Sequence, residues 1–265
     1  METAEPARRL PPALLEHARN GGPVVAPRDA ATVVLLRDAE GHGIEAYLLR
    51  RLSSMAFAGG MYVFPGGSVD PRDADWAGEL PESWAPALDA SEGLARSLVC
   101  AAVRETFEES GVLLADGSMA DPAAEQKALL DRTASMTEVL RRNDLTLRAD
   151  LLRPWSHWLT PEFEPKRFDT RFFVAALPAG AEPVHYEGEA DRAAWVRPAD
   201  AVASHAAGEM GMLPPTVFTL AELAEYESVA DVLAAHREIR RVLPKVVVSG
   251  DDVRLLLPGE PGYPE

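Results

Sequence analysis

A single cysteine, Cys100, is all that this 265-residue chain carries, and only three of its cationic side chains are lysines, against 23 arginines. One thiol excludes an internal disulfide and leaves no cysteine spacing that could hold zinc or an iron–sulfur cluster. The six histidines show no ligand spacing either. His157, set between Trp155 and Trp158, reads as a packed side chain. No apolar run approaches the roughly 20 residues that cross a bilayer as a helix. The opening residues lack the basic-then-apolar order of a secretory signal. The last residues are Gly-Tyr-Pro-Glu and not a Ser-Lys-Leu-type peroxisomal address, so cytoplasm is the expected compartment. Positive charge is scarce, with 26 Lys+Arg against 42 Asp+Glu, a formal net charge of −16. That balance excludes the electropositive footprint nucleic acid needs. An anionic small molecule is acceptable only where bound cations reverse the local sign. Neither a P-loop nor a G-x-S-x-G elbow is present.

What is present is an ordinary globular composition, 47% hydrophobic and 26% charged, on a chain long enough to bury a full core. Within it, residues 104–112 read Arg-Glu-Thr-Phe-Glu-Glu-Ser-Gly-Val. On a helix, Glu105, Glu108 and Glu109 fall at i, i+3 and i+4 and share one face. Val99, Val103 and Phe107 form the opposite, apolar stripe. Like charges at this spacing weaken an isolated helix by a few tenths of a kcal/mol per pair, roughly. Such a cluster is either a solvated acidic face or a seat for a hard divalent cation such as Mg²⁺ or Mn²⁺. Two further features favour the cation. Gly111 follows the acidic turn, as a helix-ending residue should. Upstream, Phe64-Pro65-Gly66-Gly67 is a strand-to-loop break that lets backbone approach a ligand closely.

These pieces resemble the Nudix box, G-x5-E-x7-R-E-U-x-E-E-x-G-U with U apolar. Gly67 supplies the leading glycine, and Arg104, Glu105, Glu108, Glu109, Gly111 and Val112 match the second half. Thr106 stands at the first U. Thirty-six residues separate Gly67 from Arg104, where the consensus has 13. Asp73 occupies the place of the first consensus Glu, and Arg96 lies eight residues before Arg104. The box is therefore split by an insertion spanning roughly 70–91. A split box resembles the Nudix branch of the mammalian peroxisomal coenzyme A diphosphatases. Leu48-Leu49-Arg50-Arg51 with Ala58 to Gly67, Trp155 to Pro161, Arg167 to Phe173, Leu213-Pro214-Pro215 and Leu256 to Glu260 resemble that branch too. The resemblance runs over roughly residues 30–260.

It implies an α/β fold, a Nudix-type α/β/α sandwich with a mixed sheet, an insertion inside the box and a C-terminal helical extension. The expected organisation is an N-terminal arm over 1–28, the Nudix domain over 29–205, and an extension over 206–265 packed on it. Glu105, Glu108 and Glu109 are the implied catalytic and metal-holding residues, with a backbone carbonyl of Gly66 or Gly67. Arg104 and Gly111 serve the motif structurally. A further acid from a distal loop is expected as ligand or base; Glu189 is assigned, with Glu187 second, and a box glutamate remains an alternative base. Gly67, Arg51, Arg167 and Arg171 are placed on the substrate side, since guanidinium grips phosphate at two points. The implied reaction is Mg²⁺- or Mn²⁺-dependent hydrolysis of coenzyme A or acyl-CoA to 3′,5′-ADP and (acyl-)phosphopantetheine. Alternatives are another nucleoside diphosphate derivative (ADP-ribose, NADH, a nucleotide sugar) or a non-catalytic sensor of such a ligand. The partner is thus a small molecule, with no nucleic acid and no membrane; a homodimer is compatible with the sequence but not fixed by it.

Periodicity places a hairpin over Ala31–Leu36 and Gly43–Arg51, a strand at Met61–Phe64, and the box helix from a Ser91 cap to about Ser110. Helical spacing follows over Ala123–Asn143, with strand patterns near Asp150–Trp158, Arg171–Leu177 and Ala193–Val196. A helix starts at Pro198. Two more are expected over Thr216–Tyr226 and Val229–Val242, then a closing hairpin over Lys245–Ser249 and Val253–Leu257. Trp76 and Trp84 in the insertion are expected to pack onto the body of the domain.

Overall fold

Strand β1 (Arg28–Asp38) is the axis of the molecule, and its run Val33-Val34-Leu35-Leu36 is wholly inaccessible. An uninterrupted apolar run is what a strand covered on both faces requires. The computed structural model describes residues 23–41, 43–54, 58–184, 190–249 and 252–264. In chain order the strands continue as β2 (Ile44–Arg51), β3 (Tyr62–Val63), β4 (Gly66–Ser68), β5 (Ala115–Asp116) and β6 (Thr146–Leu147). After them come β7 (Leu152–Leu159), β8 (Phe168–Ala176), β9 (Ala190–Val196), β10 (Arg241–Val242), β11 (Lys245–Ser249) and β12 (Asp252–Leu256). The helices are α1 (Trp84–Ala87), α2 (Glu92–Ser110), α3 (Pro122–Leu130), α4 (Met136–Arg142), α5 (Pro198–Ala206), α6 (Pro214–Leu223) and α7 (Val229–Ala234).

The main sheet runs β10-β7-β8-β1-β2-β3, with β4 on the first half of β1 and β9 on β2. It is mixed: β1–β8 and β10–β7 are parallel, and the other pairs are antiparallel. One face packs Val33, Leu35, Leu49 and Phe173 against Leu98, Val99, Val103 and Phe107 of α2. The other packs Val34, Leu36, Trp155 and Val174 against Leu220, Leu223, Val229 and Val232 of α6 and α7. The result is the expected α/β/α sandwich, and the last two helices of the chain supply much of its second layer. Each large apolar side chain so buried contributes about 1.5–3 kcal/mol.

The insertion is folded down onto the first face. Trp84 is buried, with its ring 6.2 Å from that of Phe173, and Leu88 is inaccessible. Trp76 is partly buried against the same core. Arg171 fixes the far end of the insertion by donating to the carbonyls of Leu88 (3.0 Å) and Asp89 (3.2 Å).

Two helical stretches are shorter than their periodicity suggests. The span expected as one helix over Ala123–Asn143 is α3 and α4, separated where Arg132 adopts φ +57°. Ser135 then caps α4 and exchanges hydrogen bonds with Glu138 in a capping box. The expected helix over Val229–Val242 stops at Ala234, and Arg241–Val242 instead extends the sheet edge beside β7.

Candidate active site

The site begins with why α2 ends where it does. Ser91 caps its start by accepting from Leu94 N–H (3.3 Å). Gly111 closes it in the left-handed region at φ +69°, where a side chain would be strained. The last carbonyls are not left orphaned. Gln126, almost wholly buried, donates from Nε2 to Phe107 O (3.0 Å) and Glu108 O (2.8 Å), and Val184 N–H donates to Ser110 O (2.8 Å). Thr106, polar where the box expects an apolar residue, is inaccessible and donates to Ala102 O at 2.7 Å. Its hydroxyl is satisfied within the helix, so its methyl can pack.

Arg104 organises the acidic face. Nε and Nη2 each donate to Asp73 at 3.0 Å, and Nη2 also donates to Ser68 O at 2.9 Å. Nη1 donates to Glu105 Oε1 at 2.7 Å and to Glu108 Oε1 at 3.2 Å. All five guanidinium donors therefore have acceptors. Burial opposes the charge of Arg104, but Asp73, Glu105 and Glu108 outweigh it and hold the group protonated. Asp73 is itself fixed: it is 1% exposed, and Asp70 N–H donates to its Oδ2 at 2.8 Å. The residue six positions after Gly67 thus meets the arginine of the box across 31 positions of sequence. The two parts of the split box are brought together by this pair.

The glycines set the carboxylates. Gly66 N–H donates to Glu109 Oε2 at 3.0 Å, and β4 holds that glycine opposite Thr32 on β1. A Cβ on Gly66 would lie 2.6 Å from Ala31 O and 2.7 Å from Thr32 Cα, both backbone atoms. A Cβ on Gly67 would instead lie 2.5 Å from Glu105 Oε1. Gly67 is therefore the floor on which the Glu105 carboxylate rests. Burial first, and the neighbouring Glu108 as well, push the Glu105 carboxyl up to about 7 against the pull of Arg104.

Among the described residues no three His, Cys, Asp or Glu side chains form a group that could hold a metal ion. The hydrogen bonds say why: Arg104 holds Glu105 and Glu108, while Glu109 is turned to Gly66. The donor chemistry nonetheless fits a hard dication. Three carboxylates share one helix face, burial and then the charge of Glu108 raise the carboxyl of Glu105, and every donor atom is oxygen.

The other expected residues are distributed as follows. Arg51 ends β2, its N–H bonded to Met61 O (3.0 Å), opposite Ala190 at the start of β9. Arg167 is buried and donates to Thr160 O (3.0 Å) and Val25 O (2.9 Å). Arg171 is buried and, besides the insertion carbonyls, pairs with Asp29 at 2.7 Å. The fold engages Arg171 through Nε, Nη1 and Nη2, and Arg167 through Nε and Nη1. His157 is buried against Asp169, in keeping with a packed histidine. Glu187 and Glu189 lie outside the described residues; the chain enters that stretch at Val184, on the end of α2, and leaves it at Ala190, beside Arg51.

Tyr47 was not singled out by the sequence. It is 3% exposed on β2, its ring rests 5.3 Å from that of Trp195, and its buried hydroxyl has no hydrogen-bond partner. Burial, and then the charge of Glu109, push it up to about 12. One tyrosine in an apolar strand gives no signal of this; only the fold sets it facing the acidic helix.

A mixed sheet between helical layers, with a glycine strand delivering backbone to an R-E-x-x-E-E-x-G helix, defines a hydrolase of phosphoanhydrides. The family model described as the NUDT19 Nudix domain matches residues 89–223, and the chain belongs to this family of Nudix hydrolases. A human protein named acyl-coenzyme A diphosphatase NUDT19 is 30% identical, covering 86% of this chain and 75% of that protein. Its chicken (Gallus gallus) counterpart is 27% identical, covering 90% and 80%. A crystal structure of a Nudix hydrolase from Alicyclobacillus acidocaldarius is similar with a TM-score of 0.70 at 29% identity, covering 81% of this chain and 98% of that one. No helix among the described residues is long and apolar enough to cross a membrane.

Proposed function

We propose that this Nudix hydrolase cleaves the diphosphate bond of coenzyme A or acyl-CoA, releasing 3′,5′-ADP and (acyl-)phosphopantetheine. The observation that carries the reading is likeness, over 86% of the chain, to a human protein named acyl-coenzyme A diphosphatase. The split box agrees with it. Glu105, Glu108, Glu109 and a carbonyl of Gly66 would hold Mg²⁺ or Mn²⁺. When bound, such an ion neutralises phosphoryl oxygens and makes water a better nucleophile.

The chain's own residues do the positioning. Asp73 holds Arg104, Arg104 spans Glu105 and Glu108, and Gly66 N–H aims Glu109. Fixing carboxylates before substrate arrives avoids reorganisation during the reaction. In hydrolysis a water oxygen bonds to phosphorus, one bridging P–O bond breaks, and a carboxylate takes the water proton. Glu189 is the base in this reading, with Glu187 or a box glutamate as replacements. Arg51, at the mouth of β2, would meet the substrate phosphates.

Product analysis tests this. Purified protein with Mg²⁺ or Mn²⁺ is incubated with CoA, acetyl-CoA, ADP-ribose, NADH and UDP-glucose. Release of 3′,5′-ADP from the two CoA species is expected. Cleavage of another compound in their place would keep the hydrolase and discard the substrate, and no cleavage of any would discard both.

A further inference from the structure

Strands β1 and β2 diverge at Tyr47. They pair from Asp38 and Ile44 only as far as Leu36 and Ala46. Beyond that point β1 takes β4, with Thr32 opposite Gly66, and β2 takes β3, with Leu49 opposite Val63. Pro65, between β3 and β4, closes the fork by accepting from Val33 N–H at 2.9 Å. Tyr47 is the first residue of β2 past the fork, in the α2-side cluster that contains Val33, Leu49 and Phe107. Gly66 N–H holds the Glu109 carboxylate at the same fork. The tyrosine ring is backed from the β9 side. Trp195 is its register partner, with rings 5.3 Å apart, and Arg37, held by Glu45 at 2.8 Å, lies 4.4 Å over Trp195. Among the described residues the Tyr47 hydroxyl has no hydrogen-bond partner, and it is packed out of reach of solvent. Leaving a buried donor unpaired costs about 1–3 kcal/mol. Water cannot relieve that cost here; a protein group beside the hydroxyl can.

We propose that Tyr47 is a positioning residue for Glu109, its hydroxyl donating to that carboxylate when Glu109 turns from Gly66 to serve a cation. The neighbourhood selects the partner: Glu109 is the carboxylate whose charge reaches the hydroxyl. A carboxylate has about four lone-pair sites, so it can accept from a phenol and face a cation together. Burial, and then Glu109, raise the hydroxyl further above neutral pH, so it remains a donor. Carboxylates that ligate metals are themselves hydrogen-bonded, and the outer bond fixes their orientation. In the metal-free arrangement Gly66 N–H provides that bond from β4. In the cation-bearing one Tyr47 provides it from β2, across the fork. The proposal rests on the reading of Glu109 as a cation ligand and adds the group that orients it.

Tyr47→Phe keeps the ring and removes the donor. Mn²⁺ is titrated calorimetrically into the full chain, Tyr47→Phe, Glu109→Gln and the double variant; Tm is measured in chelator, and hydrolysis of CoA is followed in parallel. Tyr47→Phe should weaken Mn²⁺ binding roughly tenfold or more and lower kcat with little change in KM. Its Tm in chelator should be unchanged or higher, because an unpaired buried hydroxyl has been removed. The double variant should lose no more Mn²⁺ affinity than Glu109→Gln alone, since Tyr47 acts through that carboxylate. Unchanged Mn²⁺ affinity in Tyr47→Phe, with or without a lower Tm, would overturn the proposal and leave the metal site standing. So would losses that add in the double variant. Absence of Mn²⁺ binding by the unsubstituted chain would overturn the proposal and the metal-site reading together. The Mn²⁺ titrations decide the matter whichever diphosphate is hydrolysed.

Discussion

Two polar centres lie on opposite faces of one sheet. Around Arg104 every guanidinium donor has an acceptor, yet Asp73, Glu105 and Glu108 set three carboxylates against one cation. Beside Trp158, on the face opposite α2, Glu222 pairs with Arg237 and Glu238 with Arg240, yet the neutral Ser156 Oγ, Trp158 Nε1 and Thr219 Oγ1 have no partner. The first centre has its geometry fixed and its charge unmatched, which suits metal-assisted phosphoryl chemistry. The second has its charge matched and three neutral polar side-chain atoms without partners, packed out of reach of solvent.

The largest effect is expected at Asp73. Asp73→Ala would leave a buried guanidinium without its two-point partner, a change expected to cost about 3–5 kcal/mol. Urea unfolding measures it, and a loss below about 1 kcal/mol would deny the pair its place as the joint of the split box. The glycines sharpen the contrast between scaffold and chemistry. Gly66→Ala drives a methyl into the backbone of β1 and should cost about 1–3 kcal/mol. Gly67→Ala meets the carboxylate end of the Glu105 side chain and no backbone, so stability should fall by less than in Gly66→Ala, while displacement of that carboxylate from Arg104 lowers kcat by up to roughly a hundredfold. If the two alanines behave alike in melts and in assays, the division of labour between the glycines is wrong.

The smallest expected effect is a pH dependence. Glu105 in the folded chain titrates at about 7, above its ordinary 4.5. The metal-free folded protein therefore binds more protons than the unfolded chain between those values, and stability falls as pH rises through that window. Tm measured from pH 4.5 to 7.5 in chelator should decline for this reason, and Glu105→Gln should flatten the slope. An identical slope in that variant would show that Glu105 is not the group responsible.

Much of this was legible in local sequence. Ser91, the apolar stripe of Val99, Val103 and Phe107, and Gly111 define α2 by short-range rules, and the structure agrees with each. Ser135-Met-Thr-Glu138 was a readable capping box that would have divided the Ala123–Asn143 span. What was not legible depends on partners distant in sequence. Asp73 stood at the right offset from Gly67, but nothing local joins it to Arg104. Arg167 and Arg171 read as phosphate contacts because a guanidinium bears no mark of burial. Val229–Val242 kept helical spacing to its end, while the open edge of β7 took Arg241–Val242 as a strand. Tyr47 and the unpartnered atoms of Ser156, Trp158 and Thr219 emerge only once strands and helices are stacked.

In this reading the split box forms one hydrolytic site on α2. Glu109→Gln tests it most directly, because the amide keeps the shape of the side chain and removes its charge. Release of 3′,5′-ADP from CoA in Mg²⁺ or Mn²⁺ would be followed beside circular dichroism. A rate lower by roughly 10²–10⁴-fold on an unchanged fold is expected. Undiminished release by a folded Glu109→Gln protein would contradict it.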